Sequence, residues 1–493
     1  NSTDTPRLTV EVEDDKPVAR VTATGIAAIL LDESPLPVDG DGIKSVTVDL
    51  STVFDPTPDF GADGPAGKGS ESYQFELSAQ SIGSGLFALD PLAADGKGAE
   101  IVLSTNGDGS IVTGSVNGTT YFTITVDADG KVTFAQENNI WHDDDTNHDD
   151  PETLATDLPT DLKLTQTLTD KDGDSSIASF NLGTGVFRIE DDGPDAKVVN
   201  PTVAAITLDE SPESEDGIKS KTVDLSGAFG AVLDFGTDGA GSDSYKLELS
   251  AQDIGSGLYD LDPNAPDGKG AEILLTSNPD GSVITGSVGG TTFFTISVDT
   301  DGKVTFTRTD ENIWHDKTSD HDDPETLTTD AASNLKLTQT LTDTDGDTDS
   351  ASIDLGAGVF VIEDDGPDAK VVNPTVAAIV LDESPVPPGG DGIASKTVDL
   401  SGAFGAVLDF GTDGAGKDSY KFELSGQDIG SGLYELDPLA PGGKGDQILL
   451  TPNGDGSVVT GSVGATVYFT ITVDGDGKVT FAQENNIWHD NTS

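Results

Sequence analysis

Asp170-Lys-Asp-Gly-Asp174 and Asp343-Thr-Asp-Gly-Asp347 set three carboxylates at positions 1, 3 and 5 of a tight loop. A hard cation such as Ca²⁺ takes six to eight oxygens at flexible distances, and this spacing turns three carboxylates toward one point. The loops are not EF-hands. Their Gly is at position 4, and position 12 is Asn181 or Asp354 rather than Glu. A solvated turn is the competing reading.

A second acidic pattern is Glu190-Asp191-Asp192-Gly-Pro-Asp195, repeated as Glu363-Asp364-Asp365-Gly-Pro-Asp368 and, in variant form, as Glu13-Asp14-Asp15-Lys-Pro17. Four acids in six residues, stiffened by Pro, differ from a flexible Gly/Ser linker. A third pattern is Leu-Asp-Glu-Ser-Pro, which supplies Asp32/Glu33, Asp209/Glu210 and Asp382/Glu383. A cation shared between the acids of one linker and the Asp-Glu pair of the following unit would lock a joint. A charged, solvated linker is the alternative.

His142 and His148, and again His315 and His321, lie in acidic loops, while the third copy keeps only His489. Neutral imidazoles offer a transition-metal option, set against an acidic Ca²⁺-binding or solvated loop. Trp141, Trp314 and Trp488 could stack on a sugar, but a Trp beside an Ile at the same place in each copy reads as a core anchor. Acid pairs for glycoside hydrolysis are not excluded by counting. Each acid cluster recurs with the fold, however, whereas a catalytic pair is unique in a domain. Nucleophile-elbow, zinc-protease and phosphate-loop motifs are absent from the sequence.

These motifs need a frame, and the frame is a repeat. The three Trp mark a period of 173 to 174 residues (314 − 141 and 488 − 314), which is a whole domain rather than a solenoid coil. Residues 1–17 read as the closing strand of a preceding unit. The units then run over 18–194, 195–367 and 368–493. The third carries no counterpart of Leu335–Leu341 or Val359–Glu363 after its Trp. Period-2 alternation, as in Thr292-Phe-Phe-Thr-Ile-Ser-Val298, marks strands with one buried face. In the second unit ten strands are expected, near 203–208, 219–225, 244–250, 271–276, 282–288, 291–298, 303–307, 334–342, 350–355 and 358–363. An Asp-Gly hairpin lies at 298–304. Ser250–Gly257 reads as one short turn, and no amphipathic helix is evident. The expected class is an all-β tandem array of β-sandwiches.

Composition bounds the function. The 493 residues hold 89 Asp+Glu against 25 Lys+Arg, a formal net charge of −64. That charge repels nucleic acid and anionic membranes. No apolar run is long enough to span a bilayer as a helix. With no Cys, disulfides and thiolate chemistry are out. The apolar content of 34% is low but not that of a disordered chain, and against a disorder reading of the acidity the alternation argues for a folded chain whose charge is managed by solvent, salt or bound cations. The absence of Met suggests an internal or processed piece.

Together, Leu-Asp-Glu-Ser-Pro, Asn-Ile-Trp-His-Asp, Leu-Thr-Asp-x-Asp-Gly-Asp and Ile-Glu-Asp-Asp-Gly-Pro resemble the tandem repeats of giant bacterial RTX adhesins exported by type I secretion. The resemblance covers nearly the whole chain. It implies immunoglobulin-like or cadherin-like extender domains, stiffened by Ca²⁺, on the bacterial cell surface. They would project terminal ligand-binding modules for adhesion and biofilm formation, with neighbouring repeats as partners. Carried onto this chain, it implies Asp170/Asp172/Asp174 acting with Glu190/Asp191/Asp192, and Asp343/Asp345/Asp347 acting with Glu363/Asp364/Asp365. The glycine-rich nonapeptides of the RTX β-roll are absent, so export is implied only. On this reading the chain is a spacer and not an enzyme. The alternative is repeats that themselves bind a ligand such as a carbohydrate.

Overall fold

The computed structural model describes residues 7–37, 40–316, 321–386 and 388–490. Among these the regular elements are β-strands and single 3₁₀ turns. Among the described residues no helix is long and apolar enough to cross a membrane.

The second repeat shows the plan. Ser220–Asp224, Lys303–Arg308, Thr291–Val298, Val283–Val288, Lys269–Ser277 and Ile254–Leu261 lie side by side in one antiparallel sheet. Alternation along Thr291–Val298 buries Phe294 and Ile296 completely. The Asp299-Thr-Asp-Gly302 turn closes the hairpin, with Gly302 at φ 76°. A second sheet sets Ile206–Asp209 parallel to Ala357–Glu363, which also pairs antiparallel with Pro324–Thr328. A third joins Ala240–Leu249, Leu335–Asp343 and Thr348–Asp354. One core draws on all three: Ile206 and Phe360, Phe294 and Phe306, Leu337 and Ile353. The first repeat has the same plan, with Ile29–Asp32 parallel to Thr184–Glu190.

All ten expected strands of the second repeat form, with ends shifted by a few residues. Two more were not expected. Ile254–Leu261 reads as a turn because it is glycine-rich, yet Gly257 at φ 75° only bends a strand that continues through it. Pro324–Thr328 opens on a proline at the edge of its sheet, where a missing N–H costs nothing.

The third repeat shows what a strand needs besides its own sequence. Tyr420-Lys-Phe-Glu-Leu424 matches Tyr245-Lys-Leu-Glu-Leu249, but only the latter is a strand. Its partner is Leu335–Asp343, and this chain has no counterpart in the third repeat. Residues 376–381 likewise lack the partner that Ala357–Glu363 gives to Ile206–Asp209, and form no strand. The third core is correspondingly small. At the other end, residues 7–17 of the expected closing strand form no strand, and Leu8, Val10 and Val12 are exposed. Residues 1–6 lie outside the described residues.

Candidate metal centre at the joint

The parallel pair of first and last strands builds the site. Glu33 follows Ile29–Asp32 directly, and its backbone N–H donates to the Glu190 carbonyl at 2.9 Å. That places Glu33 beside Asp191, the first residue past Thr184–Glu190. Ile140 then brings in His142. Ile140 is fully buried, and its N–H donates to Glu33 Oε1 at 3.0 Å. His142 Nε2 lies 3.9 Å from Glu33 Oε2 and 3.9 Å from Asp191 Oδ1, with all three side chains excluded from solvent.

The second repeat completes this cluster. Asn139 Nδ2 donates to Asp238 Oδ1 at 2.5 Å and to Thr237 Oγ1 at 3.0 Å. Thr237 Oγ1 donates to the Glu33 carbonyl at 3.2 Å. Asp345 Oδ2 accepts the His142 backbone N–H at 3.2 Å. Within the loop, Asp343 Oδ1 accepts the N–H groups of Gly346 and Asp347 at 3.1 and 2.8 Å. Glu33, Asp191, Asp238, Asp343, Asp345 and Asp347 are thus buried around one point. Each keeps at least one buried carboxylate oxygen without a hydrogen-bond partner, and both ring nitrogens of His142 are in the same state.

Such a cluster is electrostatically unfavourable without a positive charge. Burial first, then the neighbouring Asp347 and Asp238 carboxylates, push Asp191 up to about 12. Burial and the charges of Glu33 and Asp345 push Asp238 up to about 10. Burial and Asp345 push Asp343 up to about 8. Burial works against a charged His142, but Glu33 and Asp345 outweigh it and raise its pKa. Buried, unpartnered carboxylate oxygens of this number fit a hard divalent cation, which needs six to eight of them.

The other two copies hold parts of the same arrangement. In the second repeat Glu210, His315 and Asp364 come together. Their cluster faces Asp413 of the third repeat, which accepts a hydrogen bond from Asn312 Nδ2 at 2.8 Å. At the start of the chain Asp14, Asp63 and Asp172 gather on the exposed surface, and Asp170, Asp172 and Asp174 form a second group. Asp170 is buried, and its Oδ2 has no hydrogen-bond partner. In the third repeat Glu383 Oε2 lies 3.4 Å from His489 Nε2.

The pairings implied by resemblance are corrected here. Asp345 and Asp347 lie against Asp191 of the preceding linker, while Asp364 of their own linker joins Glu210 and His315. Asp170, Asp172 and Asp174 face Asp14 rather than Glu190, Asp191 and Asp192. The loop folds back to the start of its own repeat, where Pro65 bridges to Asp170. The Asp-Glu pairs are corrected as well. Glu33 and Glu210 join the linker that ends their own repeat, not the one before it, because the first strand lies against the last.

Several candidate acids do other work. Asp32, Asp209 and Asp382 accept the N–H two residues on, from Ser34, Ser211 and Ser384 at 2.8, 2.7 and 2.8 Å, and so shape turns. Asp195 and Asp368 pair with Lys197 and Lys370 at 2.5 and 2.6 Å on the surface. Asp15 accepts the Ala62 N–H at 2.9 Å. Asp192 and Asp365 are held by the backbone N–H groups of Thr237 and Thr412. Glu190 and Glu363 lie on backbone paired with Asp32 and Asp209. Glu13 is exposed. Asp238 and Asp413 were missed in the sequence, although Gly-Thr-Asp-Gly recurs at both positions.

The Trp residues are half-buried rather than core anchors. Trp141 meets Phe87 edge-on, Lys97 Nζ lies 3.8 Å over its ring, and its indole N–H donates to the Asp95 carbonyl at 2.7 Å. The core position belongs to the preceding Ile. Trp141 and Ile140 together fix the backbone from which His142 projects.

A family model described as "Domain of unknown function (DUF5801)" matches residues 28–183, 205–356 and 378–493. The chain belongs to the DUF5801 family. It holds three tandem copies of an all-β unit, and each DUF5801 match begins three residues before its Leu-Asp-Glu-Ser-Pro segment. A search of the curated proteins returned no match. Among solved structures, the protocadherin gammaB7 EC3-6 cis-dimer is 13% identical, over 97% of this chain and 95% of that one, at a TM-score of 0.19. The protocadherin gamma B2 extracellular cadherin domains 3–6 are 13% identical, over 92% and 86%, also at 0.19. Scores this low establish no shared fold.

Proposed function

We propose that the chain is a run of extender repeats from a large bacterial surface adhesin, stiffened at its joints by Ca²⁺, with no catalytic role. Repeats spanning 18–194, 195–367 and 368–493 would act as spacers that carry ligand-binding modules away from the cell, with type I secretion as the export route. One observation carries the reading. Glu33 and Asp191 of one repeat and Asp238, Asp343, Asp345 and Asp347 of the next keep unpartnered, buried oxygens in one electrostatically coupled cluster. A cation held there takes ligands from both sides, and so fixes the angle between them.

Small-angle scattering across a Ca²⁺ titration tests this. A compact globule of this length has a radius of gyration of about 23 Å. Three sandwiches of roughly 40 Å each, laid end to end, give well over 30 Å. The expected result is a stiff rod in Ca²⁺ and a looser chain in chelator, with Asp191→Asn loosening the first joint. A radius near the globular value, or scattering indifferent to both Ca²⁺ and the substitution, overturns the spacer reading. The carbohydrate alternative predicts glycan binding that Trp314→Ala abolishes in a folded protein.

A further inference from the structure

The oxygen-rich loop explains only part of the joint, because each complete repeat also places an imidazole between two carboxylates. In the second repeat Glu210 and His315 side chains are 1% and 2% exposed. His315 Nδ1 lies 3.0 Å from the Asp323 carbonyl, to which it can only donate. Its proton is thereby committed, and Nε2 is turned toward Glu210 and Asp364. Glu210 Oε1 is committed too, accepting the Ile313 N–H at 3.0 Å. What remains is His315 Nε2, Glu210 Oε2 and Asp364 Oδ1, all buried and none with a hydrogen-bond partner.

The spacing of these atoms discriminates between occupants. Nε2 to Glu210 Oε2 is 3.5 Å, too long for a good N–H···O bond. Ligands about 2.0–2.2 Å from a tetrahedral ion stand roughly 3.4 Å from one another. The matching distances are 3.9 Å for His142 and 3.4 Å for His489. An imidazole whose other nitrogen donates to a backbone carbonyl is the usual arrangement of a metal-bound histidine. Ca²⁺ is held by oxygen, whereas imidazole with carboxylates suits Zn²⁺ and its first-row neighbours.

We propose that Glu210, His315 and Asp364 form a second class of metal site that takes a divalent transition ion, with Zn²⁺ the preferred occupant. This deepens the cation-stiffened reading: the array would hold two kinds of ion, Ca²⁺ at the joint of the first two repeats and Zn²⁺ on the histidine of the second. The Glu210 site is built from a single repeat, so it does not depend on the joint being closed.

The test is calorimetric titration of Zn²⁺ into the whole chain held in saturating Ca²⁺, with Co²⁺ absorption as a second readout. Zn²⁺ should bind at one equivalent that Ca²⁺ does not displace, and Co²⁺ should give visible bands of a nitrogen–oxygen site. His315→Gln should remove that equivalent or weaken it at least tenfold, while the Ca²⁺-dependent rise in melting temperature persists as the check on folding. Glu210→Gln provides a second probe of the same site should His315→Gln fail that check. No Zn²⁺ binding in saturating Ca²⁺, or binding unchanged by the folded variants, overturns the proposal and leaves the imidazoles as partners of the carboxylates alone. Scattering indifferent to Ca²⁺ with Zn²⁺ binding intact would instead overturn the spacer reading and leave this one standing.

Discussion

Asp345 and His142 are separated by 203 residues, yet the Asp345 carboxylate accepts the His142 backbone N–H at 3.2 Å. The contact crosses from the second repeat into the first. It sets a direction on the array: each acidic loop serves the joint on the N-terminal side of its own repeat. Asp345→Asn with Asp347→Asn should therefore weaken Ca²⁺ at the joint between the first two repeats by at least tenfold, about 1.4 kcal/mol. Asp172→Asn with Asp174→Asn should leave that joint unchanged. Calorimetric Ca²⁺ titration of both pairs checks this, and equal effects would mean the loops do not act across the joint.

Ca²⁺ should raise the melting temperature strongly, and Mg²⁺ should substitute poorly, since it demands near-octahedral geometry and holds its water. Binding to the folded state alone contributes about 2.7 kcal/mol at 100 times Kd. Equal melting in EDTA and in millimolar Ca²⁺ at matched ionic strength would remove the cation from the account and leave solvation of a highly charged surface.

The acid cluster also fixes a pH dependence. Asp343, Asp238 and Asp191 are raised to about 8, 10 and 12 in the folded, metal-free protein. The folded state therefore binds more protons than the unfolded one above the ordinary carboxylate range. Their contribution is fully present below the unfolded pKa and is lost as pH rises through the folded values. Ca²⁺ reverses the trend, because it binds the ionised groups. The gap between melting temperatures in Ca²⁺ and in chelator should widen from about pH 5 to pH 8. A gap independent of pH would mean these carboxylates do not meet the ion.

Much of this was legible in the sequence, but not all of it. Asp343, Asp345 and Asp347 were recognisable because a carboxylate loop is a local object. Period-2 runs gave the strands for the same reason. The grouping of these acids was not local. It depends on Ile206–Asp209 lying parallel to Ala357–Glu363, a pairing across some 150 residues that leaves no trace in either segment. Hence the sequence alone points Glu210 to the linker before it, and Asp238 reads as part of a glycine-rich turn. His315 pairs in sequence with His321, although its neighbours in space are Glu210 and Asp364.

Core packing gives a prediction independent of any ion. Gly286 lies opposite Phe294 across its strand pair, and a Cβ there would sit 2.4 Å from the Phe294 ring. Gly114 with Phe122 and Gly461 with Phe469 repeat the arrangement at the same separation. Gly286→Ala should destabilise the second repeat by about 1–3 kcal/mol through overpacking, read by thermal unfolding in Ca²⁺. An unchanged transition would mean that the ring is free to move aside.

The parallel pairing of Ile29–Asp32 with Thr184–Glu190 has a mechanical consequence. The chain enters a repeat at the start of one strand and leaves it at the end of the other. Tension on the array therefore pulls the two strands past each other along their length. The ladder from Ile29↔Phe187 to Asp32↔Glu190 is loaded in shear, all its bonds at once, instead of being peeled open one bond at a time. Glu33 and Asp191 sit where that ladder ends, so an ion bridging them would act as a rivet at the point where force passes from one repeat to the next.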